Sequence, residues 1–366
     1  MSAVSQARTV TSVEARSALL RCFKKRRPAF LWGPPGIGKS DLIASICEEL
    51  GGLMIDLRMP LLEPTDLRGI PFYNKESNCM EWAPPIDLPD EELAAKYPII
   101  ILFLDEMNAA PPATQASAYQ LVLNRRVGRY RLPDNVVVVA AGNRESDKGV
   151  TYRMPAPLAN RFVHLEMRVA YDAWLDWATK NSIHKDVIGY ISFAKQDLFD
   201  FDPRSSSRSF ATPRSWTFVS ELLEDSMSSD TLTDLVAGTI GEGLAVKFMA
   251  HRKVAAQMPN PTDILAGKVN KLEVKEISAM YSLVVSMCYE LRDSHAKLGK
   301  AKSIEWHAMA DNFLKFMMEN FNTEITVMGA RIALTTFNLQ LTPNKLKNFT
   351  EFHKKYGRFI IAASSN

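Results

Sequence analysis

The stretch FLWGPPGIGKSDL, residues 30–42, sets three glycines and two prolines ahead of a lysine and a serine, between an apolar run and a segment of helical spacing. Written out as Gly33-Pro34-Pro35-Gly36-Ile37-Gly38-Lys39-Ser40, it fits GxxxxGK[ST] in the strand-to-helix context that this pattern requires. Small residues let successive backbone N–H groups curl around a phosphate, and the helix that follows adds its positive end. Lys39 is then placed for the β and γ phosphates of ATP, and the Ser40 hydroxyl for Mg²⁺.

The surroundings extend this into a fold. Residues 12–23 show helical spacing of Val13, Leu19, Leu20 and Phe23 and run into the basic cluster Lys24, Lys25, Arg26, Arg27, read as a solvated helix end rather than a nucleic-acid patch. Residues 28–32 read as a strand and 41–50 as a helix with Leu42, Ile43, Ile46 and Leu50 on one face, stopped by Gly51 and Gly52. Further short apolar runs at 53–57, 99–104, 136–141 and 162–165 predict a parallel sheet covered by helices on both faces, ending near residue 167. Behind it, helices are expected over 173–193, 216–223, 231–250, 274–291, 304–321 and 346–361, with Pro/Ser-rich breaks at 202–213 and 258–262. The expectation is an α/β P-loop NTPase fold over residues 1–167, an all-helical lid over 168–250 and a helical C-terminal region over 251–366.

Composition bounds the partners. A chain of 366 residues suggests two or three domains, and a net charge of +3 does not by itself call for a polyanion or a membrane. Cys22, Cys47, Cys79 and Cys288 are far apart, which suggests neither a zinc site nor a disulfide framework. With no bilayer-length apolar run and no signal-peptide core at the amino terminus, a soluble protein of the reducing cytoplasm is expected.

Four further stretches carry chemistry. In IIILFLDEMN an apolar strand delivers Asp105 and Glu106 to its carboxyl edge, where ligands of open α/β sheets sit. Asp105 is placed to hold Mg²⁺ through water, and Glu106 to polarise the water that attacks the γ-phosphate, which favours ATP hydrolysis over nucleoside phosphorylation. VVVVAAGN ends a second strand with Asn143, a neutral amide able to orient that water. In TPRSW, Thr212 reads as a helix N-cap and Pro213 as the first helical residue, so Arg214 falls in a first turn, where a cation opposes the helix dipole and an anionic partner such as a γ-phosphate would favour it. In MPAPLANRF, Arg161 precedes an apolar run and reads either as solvated structure or as a finger presented to a neighbouring subunit's nucleotide.

In this order and spacing, GPPGIGKS, LEPTDLRGIP, LDEMNAAPPATQ, AAGN, MPAPLANRF and TPRSW resemble the AAA+ ATPases, more narrowly the MoxR-like branch, and LEPTDLRG is similar to its CbbQ/NorQ/GvpN subgroup. The resemblance implies Walker A contacts from Lys39 and Ser40, Walker B from Asp105 and Glu106, sensor 1 at Asn143, an arginine finger at Arg161 and sensor 2 at Arg214. It also implies a hexameric ring, a hairpin before sensor 1 in VGRYRLPDN (127–135) and an insertion of the second helix within 70–86, both facing a pore. Asn160 stands where the family commonly has an acidic residue before the finger. Members of the branch act as chaperone-like remodellers, often with a partner bearing a von Willebrand factor A domain. A nucleic-acid motor is the competing reading, carried by Lys24 to Arg27 and the arginines at 125, 126, 129 and 131. A third is a nucleotide-gated scaffold with little turnover.

Overall fold

The structure is a computed structural model that describes residues 8–127, 130–147, 151–223, 229–273, 276–298, 303–339, 341 and 343–364. Contacts divide the chain into two bodies, residues up to 170 with 202–205 and residues 171–201 with the rest.

The first body is built in the order β1 (Thr9–Val10), α1 (Ser12–Lys24), β2 (Ala29–Trp32), α2 (Lys39–Glu49), β3 (Leu53–Arg58), α3 (Pro64–Arg68), β4 (Ile70–Asn74), β5 (Cys79–Ala83), α4 (Glu91–Ala94), β6 (Ile100–Asp105), α5 (Pro112–Asn124), β7 (Arg126–Val127), β8 (Tyr130–Arg131), β9 (Val136–Gly142), α6 (Ala156–Ala159) and β10 (Val163–Met167). Six strands form one parallel sheet in the order β1-β10-β2-β9-β6-β3. All six residues of β6 are buried because both faces are covered. Ile100, Leu102 and Leu104 join one core with Phe30, Val138, Ala140 and α5, while Ile101 and Phe103 join the other with Leu19, Ile43 and Ile46 of α1 and α2. Each such side chain stabilises the sheet by roughly 1.5–3 kcal/mol, which is why these strands read as unbroken apolar runs.

Helix ends follow local chemistry. Thr11 and Glu14 form a reciprocal capping box on α1. Helix α2 stops where Gly51 turns left-handed (φ 62), with the amides of Gly51 and Gly52 returning to Glu48 and Cys47.

Three strand features add to or refine the sequence expectation. β1 is two residues long, too short to show a pattern, and adds to the sheet edge beside β10. Within 70–86, β4 and β5 pair antiparallel as a hairpin set between the short α3 and α4. Ile70, Phe72, Tyr73, Met80 and Trp82 on it are exposed. The hairpin expected over 127–135 has Arg126 paired with Arg131 and Val127 with Tyr130, so it starts one residue earlier; Gly128 and Arg129 lie outside the described residues.

The second body is helical throughout its described residues: α7 (Tyr171–Lys180), α8 (Lys185–Phe193), α9 (Pro213–Leu222), α10 (Ser229–Ile240), α11 (Glu242–Ala255), α12 (Pro261–Leu265), α13 (Ile277–Leu298), α14 (Ser303–Asn320), α15 (Thr323–Arg331) and α16 (Phe349–Ser364). The single helix expected over 173–193 is two, α7 and α8, with Ser182 left-handed between them (φ 56). That over 231–250 is also two, because Gly241 (φ 94) breaks the chain between α10 and α11. Helix α12 starts inside the expected break at 258–262, since Asn260 caps it and Pro261 opens it, the roles these residues favour at helix starts. The core gathers Tyr190, Trp216 and Phe248 with ring centroids 5.5–5.6 Å apart. Helices α8 and α13 meet where a Cβ on Gly189 would overlap Ser282. Among the described residues no helix is long and apolar enough to cross a membrane.

Candidate functional site

Strand β2 lies in the sheet between β9 and β10, and its carboxyl end opens into the loop 33–38. The loop alternates handedness, with Gly36 (φ 74) and Gly38 (φ 86) in the left-handed region, and Gly38 caps α2. Such alternation turns successive amides toward one point and makes an anion cradle, reinforced by the α2 N-terminus. Lys39 folds back over the loop, its Nζ donating to the carbonyls of Gly33 (2.6 Å) and Pro34 (3.0 Å) and to Asn143 Oδ1 (3.1 Å).

Asp105 is 8% exposed and continues the β6 face that carries Ile101 and Phe103, which is the face covered by α2. Its carboxylate therefore meets Ser40, whose Oγ donates to Oδ2 at 3.2 Å. The other oxygen accepts from the Glu106 amide at 2.9 Å. Glu106 is left-handed without being glycine (φ 52, ψ 34), a conformation that costs of order 1 kcal/mol and turns the chain sharply off the strand. On neighbouring β3, Arg58 pairs in register with Asp105. The Asp56 carboxyl is pushed above its ordinary value, by burial first and by the Asp105 charge second, with Arg58 opposing. This excess of negative charge beside a hydroxyl is a hard-oxygen environment that fits Mg²⁺, which uses one or two carboxylates and retains waters.

The structure thus brings Lys39, Ser40, Asp105 and Asn143 together at one edge, with Glu106 adjoining in sequence. Arg161 is elsewhere. The Val163 amide donates to the Pro28 carbonyl at 2.9 Å, and Val163 pairs with Ala29, so Arg161 lies at the amino edge of the sheet. The length of β2, roughly 13 Å at 3.3 Å per residue, separates that edge from the phosphate loop of the same chain. Arg161 is exposed, with no hydrogen bond or ion pair from its side chain among the described residues. In the helical body, Thr212 caps α9 through the Ser215 amide at 3.1 Å and Pro213 opens it, leaving Arg214 exposed in the first turn.

Two groups went unassigned in the sequence. Asn108 is buried, donates from Nδ2 to the Asn143 carbonyl (2.7 Å), and accepts at its own carbonyl from the Tyr152 amide (2.7 Å). Its Oδ1 lies where a Cβ on Gly142 would be, which accounts for the glycine of AAGN. The asparagine three residues after Asp105 was its one visible signal. Arg144 is gripped by Asp147, Nη2 to Oδ1 at 2.9 Å, and reaches Glu166 at 3.2 Å, tying the ends of β9 and β10 on either side of β2. The acidic contacts hold its guanidinium pKa above the ordinary value, the Asp147 hydrogen bond contributing most.

Residues 29–167 match the profile of the ATPase family associated with various cellular activities (AAA). Midasin of Giardia intestinalis is 26% identical over 189 residues, which are 50% of this chain and 4% of Midasin. Among solved structures, an inferred ATPase from Cytophaga hutchinsonii aligns over 93% of this chain and 80% of its own, at 14% identity and TM-score 0.36. The RuvB Holliday junction branch migration motor of Thermotoga maritima aligns over 70% of this chain and 76% of its own, at 19% identity and TM-score 0.36. Scores at that level carry no fold by themselves; the strand order, the phosphate loop and the family profile do. Residues 29–167 are an AAA ATPase domain, the part of this enzyme that hydrolyses ATP.

Proposed function

We propose that the chain is an Mg²⁺-dependent AAA+ motor of the MoxR-like kind that works as a ring, as a hexamer by family resemblance, and uses ATP hydrolysis to remodel or assemble a partner protein. The observation that carries the ring is the separation of Arg161 from its own phosphate loop by the length of β2, with its side chain exposed. A finger at that edge has its target in another subunit.

In this reading the loop from Gly33 to Gly38 cradles the phosphates, and Lys39 exchanges its loop carbonyls for β- and γ-phosphate oxygens. Ser40 and Asp105 would hold Mg²⁺, which supplies charge neutralisation on the phosphates. Glu106 accepts a proton from the attacking water and Asn143, steadied by Asn108, orients that water. Arg214 reads the nucleotide state for residues 168–250, acting as a lid, and residues 251–366 select the partner. A von Willebrand factor A domain protein is the family's usual co-factor. The exposed apolar hairpin β4–β5 supports a protein client, since a two-stranded hairpin is marginal alone and gains from being covered. The four free cysteines, three of them buried, are compatible with the cytoplasm.

The test is subunit mixing. Arg161→Ala and Glu106→Gln chains should each hydrolyse ATP poorly when assembled, and mixed rings should regain activity at interfaces holding both intact groups. Full activity of a strictly monomeric preparation would remove Arg161 from the catalytic residues.

One observation favours a nucleic-acid motor as a second reading. Arg126 and Arg131 stand opposite one another on β7 and β8, and like charges so placed repel unless an anion lies between them. Salt-dependent binding of single-stranded DNA, lost on Arg126→Glu, would favour this reading.

A further inference from the structure

Trp32, the last residue of β2 before the phosphate loop, donates from Nε1 to His164 Nδ1 on β10 at 2.8 Å. The opposite ring nitrogen, His164 Nε2, lies 2.7 Å from the Ala159 carbonyl at the end of α6. An indole nitrogen only donates, so Nδ1 must accept, the proton must sit on Nε2, and Nε2 donates to Ala159. The two contacts thereby hold the imidazole in one tautomer, although its side chain is exposed.

The carbonyl it holds begins the turn that carries Arg161. Ala159 also accepts from the Phe162 amide at 3.2 Å, and the Arg161 amide donates to Leu158 at 3.0 Å. The rings continue the connection: Trp32 stacks on Phe30 at 4.1 Å and lies parallel to His164 at 5.9 Å, while Phe162 meets Phe30 edge-on at 5.4 Å. A strand pair needs none of these polar contacts to form, because β2 and β10 are already joined through their backbones from Ala29 to Trp32. What the imidazole adds is a fixed distance between the root of the phosphate loop and the Arg161 turn.

We propose that His164 is a positioning residue for Arg161: through Trp32 and the Ala159 carbonyl it sets the finger turn of one subunit against the strand that feeds that subunit's own phosphate loop. This rests on the reading of Arg161 as a finger. Its consequence is that the arginine offered to a neighbour is held by the strand that ends in the donor's own nucleotide site.

The experiment combines spectroscopy with a double-mutant cycle on the assembled full chain. In ¹⁵N spectra of the histidine rings, the signal removed by His164→Gln should show the Nε2–H tautomer, and Trp32→Phe should release it to a mixture. His164→Phe keeps a flat ring and loses both bonds; its kcat should fall roughly 3- to 10-fold, the worth of one lost hydrogen bond, with KM for ATP within about 2-fold. His164→Gln, whose amide can both accept and donate, should recover most of that loss. Adding His164→Phe to Arg161→Ala should cost nothing further, because the two act through one group. An Nδ1–H tautomer in the wild type, a loss in KM rather than kcat, or losses that multiply in the double variant would overturn the proposal while leaving the finger reading intact. A wild-type rate in Arg161→Ala rings would overturn both.

Discussion

The carboxyl edge of the sheet and the interior of the helical body both assemble polar side chains from distant parts of the sequence, and they use them in opposite ways. At the edge, Lys39, Ser40, Asp105 and Asn143 face an open loop and hold one another by contacts that a phosphate or a cation can replace. Inside the helical body, Tyr190 donates to Asp197 at 2.6 Å, Trp216 to the Asp197 carbonyl at 2.9 Å, and Arg252 to Asp186 at 2.9 Å, pairs closed on themselves that fix helix against helix. Parallel strands end at one edge whatever their order in the sequence, so chemistry collects there. Helices place buried polar groups along their length, where they set packing.

The largest effects should come from breaking the edge. Lys39→Ala removes the cation proposed to meet the phosphates and should weaken ATP binding by roughly 100-fold or more in titration calorimetry. Glu106→Gln should leave that affinity within about 3-fold while turnover falls by roughly 10²–10⁴. Equal affinity losses in both variants would end the division of roles. Thermal unfolding of both should match the wild type without nucleotide.

Next comes a test of the closed interior. His251 is 5% exposed, contacts Ser282 Oγ through Nε2 at 2.9 Å, and has its pKa pushed down to about 4 by burial, against the opposing Asp186 charge. The unfolded chain binds a proton below about 6.5 while the folded one stays neutral until about 4. Stability is therefore full above pH 6.5, falls as pH drops toward 4 and then levels, a loss of about 3 kcal/mol. Urea midpoints of the wild type should fall between pH 7 and 5 more steeply than those of His251→Asn. Parallel curves would show that the ring is not held neutral.

The smallest effect sharpens the contrast most. Gly142→Ala and Gly189→Ala each force a methyl into an occupied space, against Asn108 in one body and Ser282 in the other. Both should cost about 1–3 kcal/mol of stability. Only Gly142→Ala should also slow ATP turnover, by roughly tenfold, because it displaces the amide that steadies Asn143.

The five longer strands of the sheet and the residues gathered at its edge were legible because each depends on a local pattern: an apolar run, then a loop residue of the right chemistry. The stop of α2 at Gly51 and the cap of α9 at Thr212 were legible for the same reason. Helix breaks at Ser182 and Gly241 were not, because the apolar spacing continues across them and only the backbone angle reveals the turn. Asn108 and His164 escaped notice because their partners are far off in sequence; Asn108 and Asn143 are 35 residues apart, Trp32 and His164 132. No spacing rule connects such residues until the strand order has made their strands neighbours.

That strand order also has a consequence for synthesis. β2 is the earliest of the long strands to be made, yet its partners β9 and β10 follow on the order of a hundred residues later. The phosphate loop therefore hangs from a strand with nothing to pair with until β9 has been made, and with its other edge open until Met167 has left the ribosome, and closing so long a span is slow compared with forming α1 or α2. A nascent chain halted before β10 should have made its phosphate-loop sequence without gaining the means to hold ATP. The ATPase domain becomes competent late, after its whole sheet has been translated, so a half-made chain has no route to spend nucleotide.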